Sequence, residues 1–263
     1  MSNNIPWLEL KNIEVWINNK NVLSKLTLNL NYGDNIVILG PNGAGKTSLI
    51  KLIERSVYPI VSKDSKIRYF GEKNISLWDI RSKIGFVTLN IQNRICSTTK
   101  SADAICSGFF GTNKLLKYQS LTQSQKTRFR RLLEYLSIES IASNNFGNLS
   151  EGEKRTVLIA RALINQPEII ILDEPTCNLD FKSKHKILEV LDKLSKDEIT
   201  LVQVTHNLDS ISKQTNRVIF LKNGIVKEDS TPSKCLTSSK LSDLFDTPLT
   251  IINSNSYWQA LPG

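Results

Sequence analysis

The sequence predicts an α/β fold: a parallel-sheet core, an antiparallel β part at the N-terminus and an inserted α-helical subdomain. Three observations carry this. Ile36–Leu39 and Glu168–Leu172 are short and almost wholly apolar, as strands buried on both faces of a parallel sheet are. Helical patterns follow them, and alternation of strand and helix calls for a parallel sheet flanked by helices. Between Leu89 and Phe146 the strand signals disappear, so that stretch reads as a mostly helical insert.

The elements follow in order. Trp7–Ile17 partly alternates, and in Val22–Leu30 the residues Leu26, Leu28 and Leu30 alternate with Thr27 and Asn29. With the polar Asn18–Asn21 between them, they form a hairpin with one buried face. Asn31–Asp34 is a turn, Ile36–Leu39 a strand and Lys46–Arg55 a helix. Asp64–Asn74 reads as strand and turn, Leu77–Ser82 as a short helix, Ile84–Thr88 as a strand. Within the insert, Phe129, Leu132, Leu133 and Leu136 share one helical face. Ser150 opens a helix that runs to about Asn165 and breaks at Pro167. Lys182–Lys196 is a helix, Thr200–Thr205 a strand, Leu208–Thr215 a helix and Arg217–Leu221 a strand. Asn223-Gly224 is a hairpin turn into Ile225–Glu228. One or two short helices over Lys234–Phe245, a strand over Leu249–Asn253 and a Tyr257-Trp258 anchor complete the chain. The expected organisation is one domain, with its core at about 1–88 and 157–232, the insert at 89–156 and a short extension at 233–263.

Composition narrows the function classes. The 263 residues are 40% apolar, enough for a large buried core. No apolar run approaches the roughly 18–20 residues needed to span a bilayer. The start, MSNNIPWLEL, lacks the basic and apolar regions of a secretory signal, so a cytoplasmic location is expected. The net charge of +9 invites nucleic acid, but the basic residues are scattered, and Lys126–Arg131 lies on an amphipathic helix. A solvated Lys-rich surface is the expectation, with no direct nucleic-acid partner. Four cysteines, Cys96, Cys106, Cys177 and Cys235, and two histidines, His185 and His206, show no paired metal spacing. Buried or neutral thiols are expected instead.

Three short stretches carry the chemistry. Gly40-Pro41-Asn42-Gly43-Ala44-Gly45-Lys46-Thr47 fits G-x-x-x-x-G-K-[ST] between a buried strand and a helix. Its glycines let several N–H groups face one point, and the helix N-terminus adds partial positive charge. Lys46 can reach the β- and γ-phosphates of a nucleoside triphosphate, Thr47 can offer its hydroxyl to Mg²⁺, and Ser48 can bond a phosphate oxygen. Asp173 ends an apolar strand and suits the Mg²⁺ shell. Glu174, one residue on, can orient or deprotonate the attacking water. Ser150-Glu151-Gly152-Glu153 has the S-x-x-E form of a capping box, which by itself explains Ser150. The alternative is that Ser150 and the N–H groups near Gly152 form a second anion site. One chain has one phosphate loop, so that site would serve the nucleotide of a two-fold partner.

This set resembles the nucleotide-binding subunit of an ATP-binding cassette (ABC) transporter, over nearly the whole chain, with a phosphate-loop NTPase core. The resemblance implies that Leu149–Glu153 is the LSGGQ signature, with Glu151 and Glu153 departing from Gly and Gln. It places the magnesium aspartate at Asp173 and the catalytic glutamate at Glu174. The D-loop aspartate falls on Asp180 and the switch histidine on His206. Trp16 is the candidate to stack on adenine. The family's glutamine after Ile84–Thr88 falls near Leu89, and Gln92 is the substitute for contact with Mg²⁺. If the signature backbone needs φ > 0, Glu151 is strained there. The implied cofactors are ATP and Mg²⁺. The implied partners are a second copy or a paralogous ATPase, and integral membrane permease subunits. Cys106–Gly111, Leu158–Leu163 and the short C-terminal tail look most like importers of metal chelates, cobalamin and molybdate. A cytosolic ABC ATPase of the iron–sulfur assembly type, or one linked to nucleic acid, is the alternative.

Overall fold

A computed structural model describes residues 6–116 and 119–263. The strands are β1 (Leu8–Ile17), β2 (Lys20–Leu30), β3 (Asn35–Leu39), β4 (Lys66–Tyr69), β5 (Ile84–Val87), β6 (Ile169–Asp173), β7 (Thr200–Thr205), β8 (Arg217–Lys222), β9 (Ile225–Ser230), β10 (Leu249–Ser254) and β11 (Tyr257–Pro262). The α-helices are α1 (Lys46–Ile53), α2 (Leu77–Lys83), α3 (Leu89–Arg94), α4 (Ser101–Cys106), α5 (Gln123–Leu136), α6 (Glu151–Leu163), α7 (Phe181–Lys196), α8 (Pro232–Cys235) and α9 (Ser238–Phe245).

A six-stranded sheet has the order β5-β6-β7-β3-β8-β9. Its first five strands run parallel, and β9 adds an antiparallel edge. A separate antiparallel sheet, β2-β1-β4, is the N-terminal β part that the alternation in β2 predicts.

The period of two decides which core each strand residue joins. From β3, Ile36 and Ile38 face the antiparallel sheet and α1 (Leu49, Ile50, Leu52, Ile53). Val37 and Leu39 face the opposite way, onto Leu236, Leu241 and Leu244 near the C-terminus. In β6, Ile169 and Ile171 join the first cluster, while Ile170 and Leu172 pack with α6 and α7. The same cluster takes in Leu133 and Leu136 of α5. The helical stretch therefore shares one apolar core with the sheet edge, and α6 is the bridge between them.

One expected element does not form. Leu208–Thr215 is not a helix: a single 3₁₀ turn at Leu208–Ser210 is followed by irregular chain. Its polar groups bond locally instead, Ser210 Oγ donating to Asn207 O at 2.6 Å. Tyr257-Trp258 opens β11, which pairs antiparallel with β10, and Trp258 packs against the cluster of Leu236, Leu241 and Leu244 as an anchor does. The Asn255-Ser256 turn has positive φ at both residues, as tight hairpins require.

Candidate functional site

Three neighbouring strands bring the chemistry together. The phosphate loop leaves β3, Asp173 closes β6 and His206 follows β7, and the sheet order is β6-β7-β3. In open α/β sheets ligands sit outside the carboxyl ends of the strands, and all three features lie there.

The phosphate loop is shaped by close backbone approach. A Cβ at Gly40 would lie 2.1 Å from Leu221 O, and one at Gly45, where φ is +103°, would lie 2.6 Å from Val22 O. The Asn223-Gly224 turn buttresses the loop, Gly224 N donating to Ala44 O at 2.8 Å. Gly45 sits at the N-cap of α1 without a side-chain bond, so the N–H groups of the first helical turn, at Lys46, Thr47 and Ser48, remain available to an anion. Lys46 is 7% exposed, and its Nζ donates to Gly40 O at 2.6 Å and Pro41 O at 3.0 Å. Burial lowers its pKa, while Glu174 and Asp173 oppose that shift through their charges. Asn42, Gly43 and Thr47 are exposed at the mouth of the loop.

Asp173 is raised in pKa, by burial first and then by the neighbouring Glu174 charge, with Lys46 and Arg155 acting the other way. A divalent cation would relieve both effects. Thr47 and Asp173 supply oxygen ligands of the kind Mg²⁺ prefers, with substrate phosphates completing the set. The pair therefore fits that ion.

Glu174 adopts φ 49°, a left-handed conformation that costs a non-glycine residue about 1–2 kcal/mol. Its backbone N–H donates to Val204 O at 2.8 Å, which fixes the turn. The side chain is held twice. Thr205 Oγ1 donates to Oε2 at 3.0 Å, and His206 Nδ1 lies 2.6 Å from Oε1. Facing an ionised carboxylate, which only accepts, Nδ1 is the donor of this pair. Thr205 is in turn set by Asn207 N, which donates to its Oγ1 at 3.0 Å, and by Ser210 Oγ at 2.9 Å. This supporting cluster has no sequence signal of its own: a Thr before a His and a Ser four residues beyond it are ordinary polar residues.

The tip of α6 shows both faces of the Ser150 question. The capping box is formed, with Glu153 N donating to Ser150 Oγ at 3.3 Å and Ser150 N to Glu153 Oε2 at 2.8 Å. Ser150 Oγ also donates to that carboxylate at 2.9 Å. Glu151 is the first helical residue, not a positive-φ position, so the strain anticipated there is absent. Its carboxylate accepts from Lys154 at 2.7 Å and Gln92 at 2.9 Å, which hold it below its usual pKa. Gly152 is glycine for another reason: a Cβ there would lie 2.6 Å from Ser183 Oγ. Asp180 caps α7, accepting from Ser183 N at 2.8 Å and Ser183 Oγ at 3.1 Å.

Gln92, on α3, thus gives its amide nitrogen to Glu151, while its Oε1 is buried without a partner among the described residues. That oxygen is the atom a cation would use. Leu89, where the family's glutamine falls, is 43% exposed. Trp16 is 49% exposed and pairs with Asn21, at the hairpin end whose Val22 lies against Gly45. The hairpin end that carries Trp16 therefore lies beside the phosphate loop. Arg155, one helical turn beyond Glu151, is 2% exposed, and its Nε and Nη1 have no partner among the described residues. Its charge reaches Glu151, Cys177, Asp173 and Glu174. Among the thiols, burial pushes Cys106 up to about 12 and Cys235 to about 11, as inert thiols should be. Cys96 is exposed, contrary to expectation.

Comparisons with known proteins agree with this geometry. Residues 23–177 match the family described as ABC transporter. An uncharacterized ABC transporter ATP-binding protein of Lactococcus lactis, YmeB, is 31% identical over 258 residues, covering 97% of this chain and 98% of its own. The zinc uptake system ATP-binding protein ZurA of Listeria innocua is 30% identical over 226 residues, covering 85% of each chain. Among solved structures, the ATP-binding cassette MJ0796, a dimer in a post-hydrolysis state with ADP and Pi, aligns with a TM-score of 0.70. The two are 26% identical, over 85% of this chain and 98% of that one.

Proposed function

The chain belongs to the ABC transporter family as an ATP-hydrolysing, ATP-binding subunit, and from that premise we propose that two copies clamp two Mg²⁺-bound ATP molecules to drive import through separate membrane subunits. The observation that carries the proposal is Glu174, held by His206 and Thr205 beside the phosphate-loop lysine.

The assigned roles follow from chemistry. Gly40–Ser48 receives the triphosphate through backbone N–H groups and Lys46. Mg²⁺, held by Thr47, Asp173 and Gln92, would neutralise charge on the phosphates. Glu174 takes the proton of the attacking water, and His206 fixes the carboxylate while its Nε2 faces the reaction. Trp16 stacks on adenine. Ser150, Gly152 and Glu153 present their helix tip to the partner's nucleotide, and Asp180 lies at the seam between subunits. In the free chain Glu153 occupies Ser150, so closure requires the capping carboxylate to yield to phosphate. A second copy is supported by the dimeric form of the MJ0796 cassette. The cargo of this reading is a metal chelate or an oxyanion, and the likeness to the zinc uptake protein ZurA favours the metal. No helix among the described residues is long and apolar enough to cross a membrane, so a transport role needs permease partners.

The test is sedimentation of Glu174→Gln with and without Mg²⁺-ATP. Dimers that form only with nucleotide support the clamp; a species that stays monomeric at every concentration removes it. Membrane proteins co-purifying from detergent extracts separate the transporter from a soluble scaffold ATPase.

A further inference from the structure

The N-terminal ends of α6 and α7 lie side by side, and they carry the two groups proposed to face the partner subunit. Ser150 caps α6 and Asp180 caps α7. Both caps are exposed, and Phe181 beside the second is 94% exposed. The two helix ends meet at one narrow point. An ideal Cβ built on Gly152 would stand 2.6 Å from Ser183 Oγ, 2.7 Å from Ser183 Cβ and 3.7 Å from Ser183 Cα. Ser183 is not free to turn away without loss. Its N–H donates to Asp180 Oδ1 at 2.8 Å and its hydroxyl to Asp180 Oδ2 at 3.1 Å. The side chain that abuts Gly152 is thus the same one that holds Asp180 in place.

We propose that the contact between Gly152 and Ser183 is a positioning element that sets the spacing of Ser150 from Asp180, so that the two partner-facing groups of one subunit move as a unit. The contact is tight on both sides. Any side chain at 152 must push α6 and α7 apart, since contacts under 3 Å at a Cβ are not tolerated in packed interiors. Pushing them apart moves the α6 tip relative to Asp180 while leaving the phosphate loop, which comes from β3 and α1, outside the disturbed contact. This gives Gly152 a role in its own chain, distinct from letting a phosphate approach the helix tip. The inference rests on the proposed function, because positioning matters only if both groups meet a partner.

The experiment is a set of compensating substitutions: Gly152→Ala and Ser183→Gly, each alone and together, with Ser183→Ala as the discriminating control. Readouts are melting temperature, kcat and KM for Mg²⁺-ATP, and nucleotide-driven dimerisation in the Glu174→Gln background. Gly152→Ala should lower kcat at least about tenfold with a smaller change in KM, because the interaction lost is one made on closure. Adding Ser183→Gly removes both clashing atoms, and the next nearest atom, Ser183 Cα, stands at an ordinary 3.7 Å, so the double variant should recover to within about threefold of Ser183→Gly alone. Adding Ser183→Ala leaves the Cβ at 2.7 Å and should rescue nothing. Rescue by glycine and not by alanine, in kcat and dimerisation together, supports the proposal. Absence of rescue by Ser183→Gly overturns it, since the Gly152→Ala methyl would then be colliding with something else, such as the partner's nucleotide. Recovery of melting temperature without recovery of kcat also overturns it, because the contact would then be structural only. If Glu174→Gln without these changes never dimerises, the functional reading fails, and that result is visible before any variant at 152 is made.

Discussion

Glu174 concentrates the residue-scale argument. Its left-handed backbone, its bond to Val204 O and its grip by Thr205 and His206 all aim one carboxylate. Backbone strain of this kind persists where surrounding structure over-determines it. Glu174→Gln keeps the shape and removes the base, so turnover should fall by about 10²–10⁴ while ATP binding persists, as measured by steady-state hydrolysis beside equilibrium nucleotide binding. Lys46 supports a different outcome. Its ammonium is buried and, among the described residues, bonded to carbonyls of its own loop, so Lys46→Ala should weaken ATP binding itself, measured by titration with a fluorescent analogue. Unchanged affinity in that variant would count against the phosphate-loop role. Both residues were legible in the sequence because their motifs are local. Thr205 was not, because Glu174, the side chain it holds, arrives from the end of another strand.

At the scale of elements, the β8–β9 hairpin does more than close the sheet. Its turn supports the phosphate loop through Gly224, whose φ is +73° and whose Cβ would meet Val22 O at 2.7 Å. Gly224→Ala should therefore destabilise the fold by about 1–3 kcal/mol and also weaken ATP binding, read by denaturant titration and nucleotide titration on one sample. A stability loss with intact affinity would show that the turn does not support the loop. Arg217 pins the same hairpin from its other end. It donates to Asp229 through Nε at 2.8 Å and Nη2 at 2.7 Å, to Asp34 at 2.9 Å and to Asn29 O at 2.9 Å. These bonds raise its pKa further, so the charge is fixed. Arg217→Ala should cost about 2–3 kcal/mol, since charge-assisted bonds are the strong ones and acceptors on three segments lose a donor. The hairpin itself was legible from Asn-Gly and alternation. Its service to the loop was not, because nothing in a turn signature says which segment it will touch. The helix expected over Leu208–Thr215 failed for a related reason: Thr205, Asn207 and Ser210 satisfy one another locally, and that alternative to the helical ladder is invisible until the strand end is in place.

For the whole molecule, a charge of +9 raises the question of nucleic acid. Some of the basic groups are committed to internal partners. Lys66 pairs with Glu9, Lys184 with Asp209, Lys222 with Asp246 and Lys240 with Glu228. Binding to RNA or DNA should therefore be weak and vanish between 50 and 200 mM salt, as non-specific association does; a salt-resistant complex would reopen that class. Length, composition and the order of apolar runs were enough to determine an α/β chain with a phosphate loop, an acidic strand end and a helical insert. Those features depend on neighbours within a few positions, where propensity, periodicity and motif spacing act directly. Only the tertiary structure decided that Glu174 is gripped from β7, that Gln92 turns to Glu151, and that Gly152 is glycine because Ser183 stands against it. Each of those contacts joins segments far apart in the chain. The packing of the sheet and its helices, rather than any local preference, sets their distances.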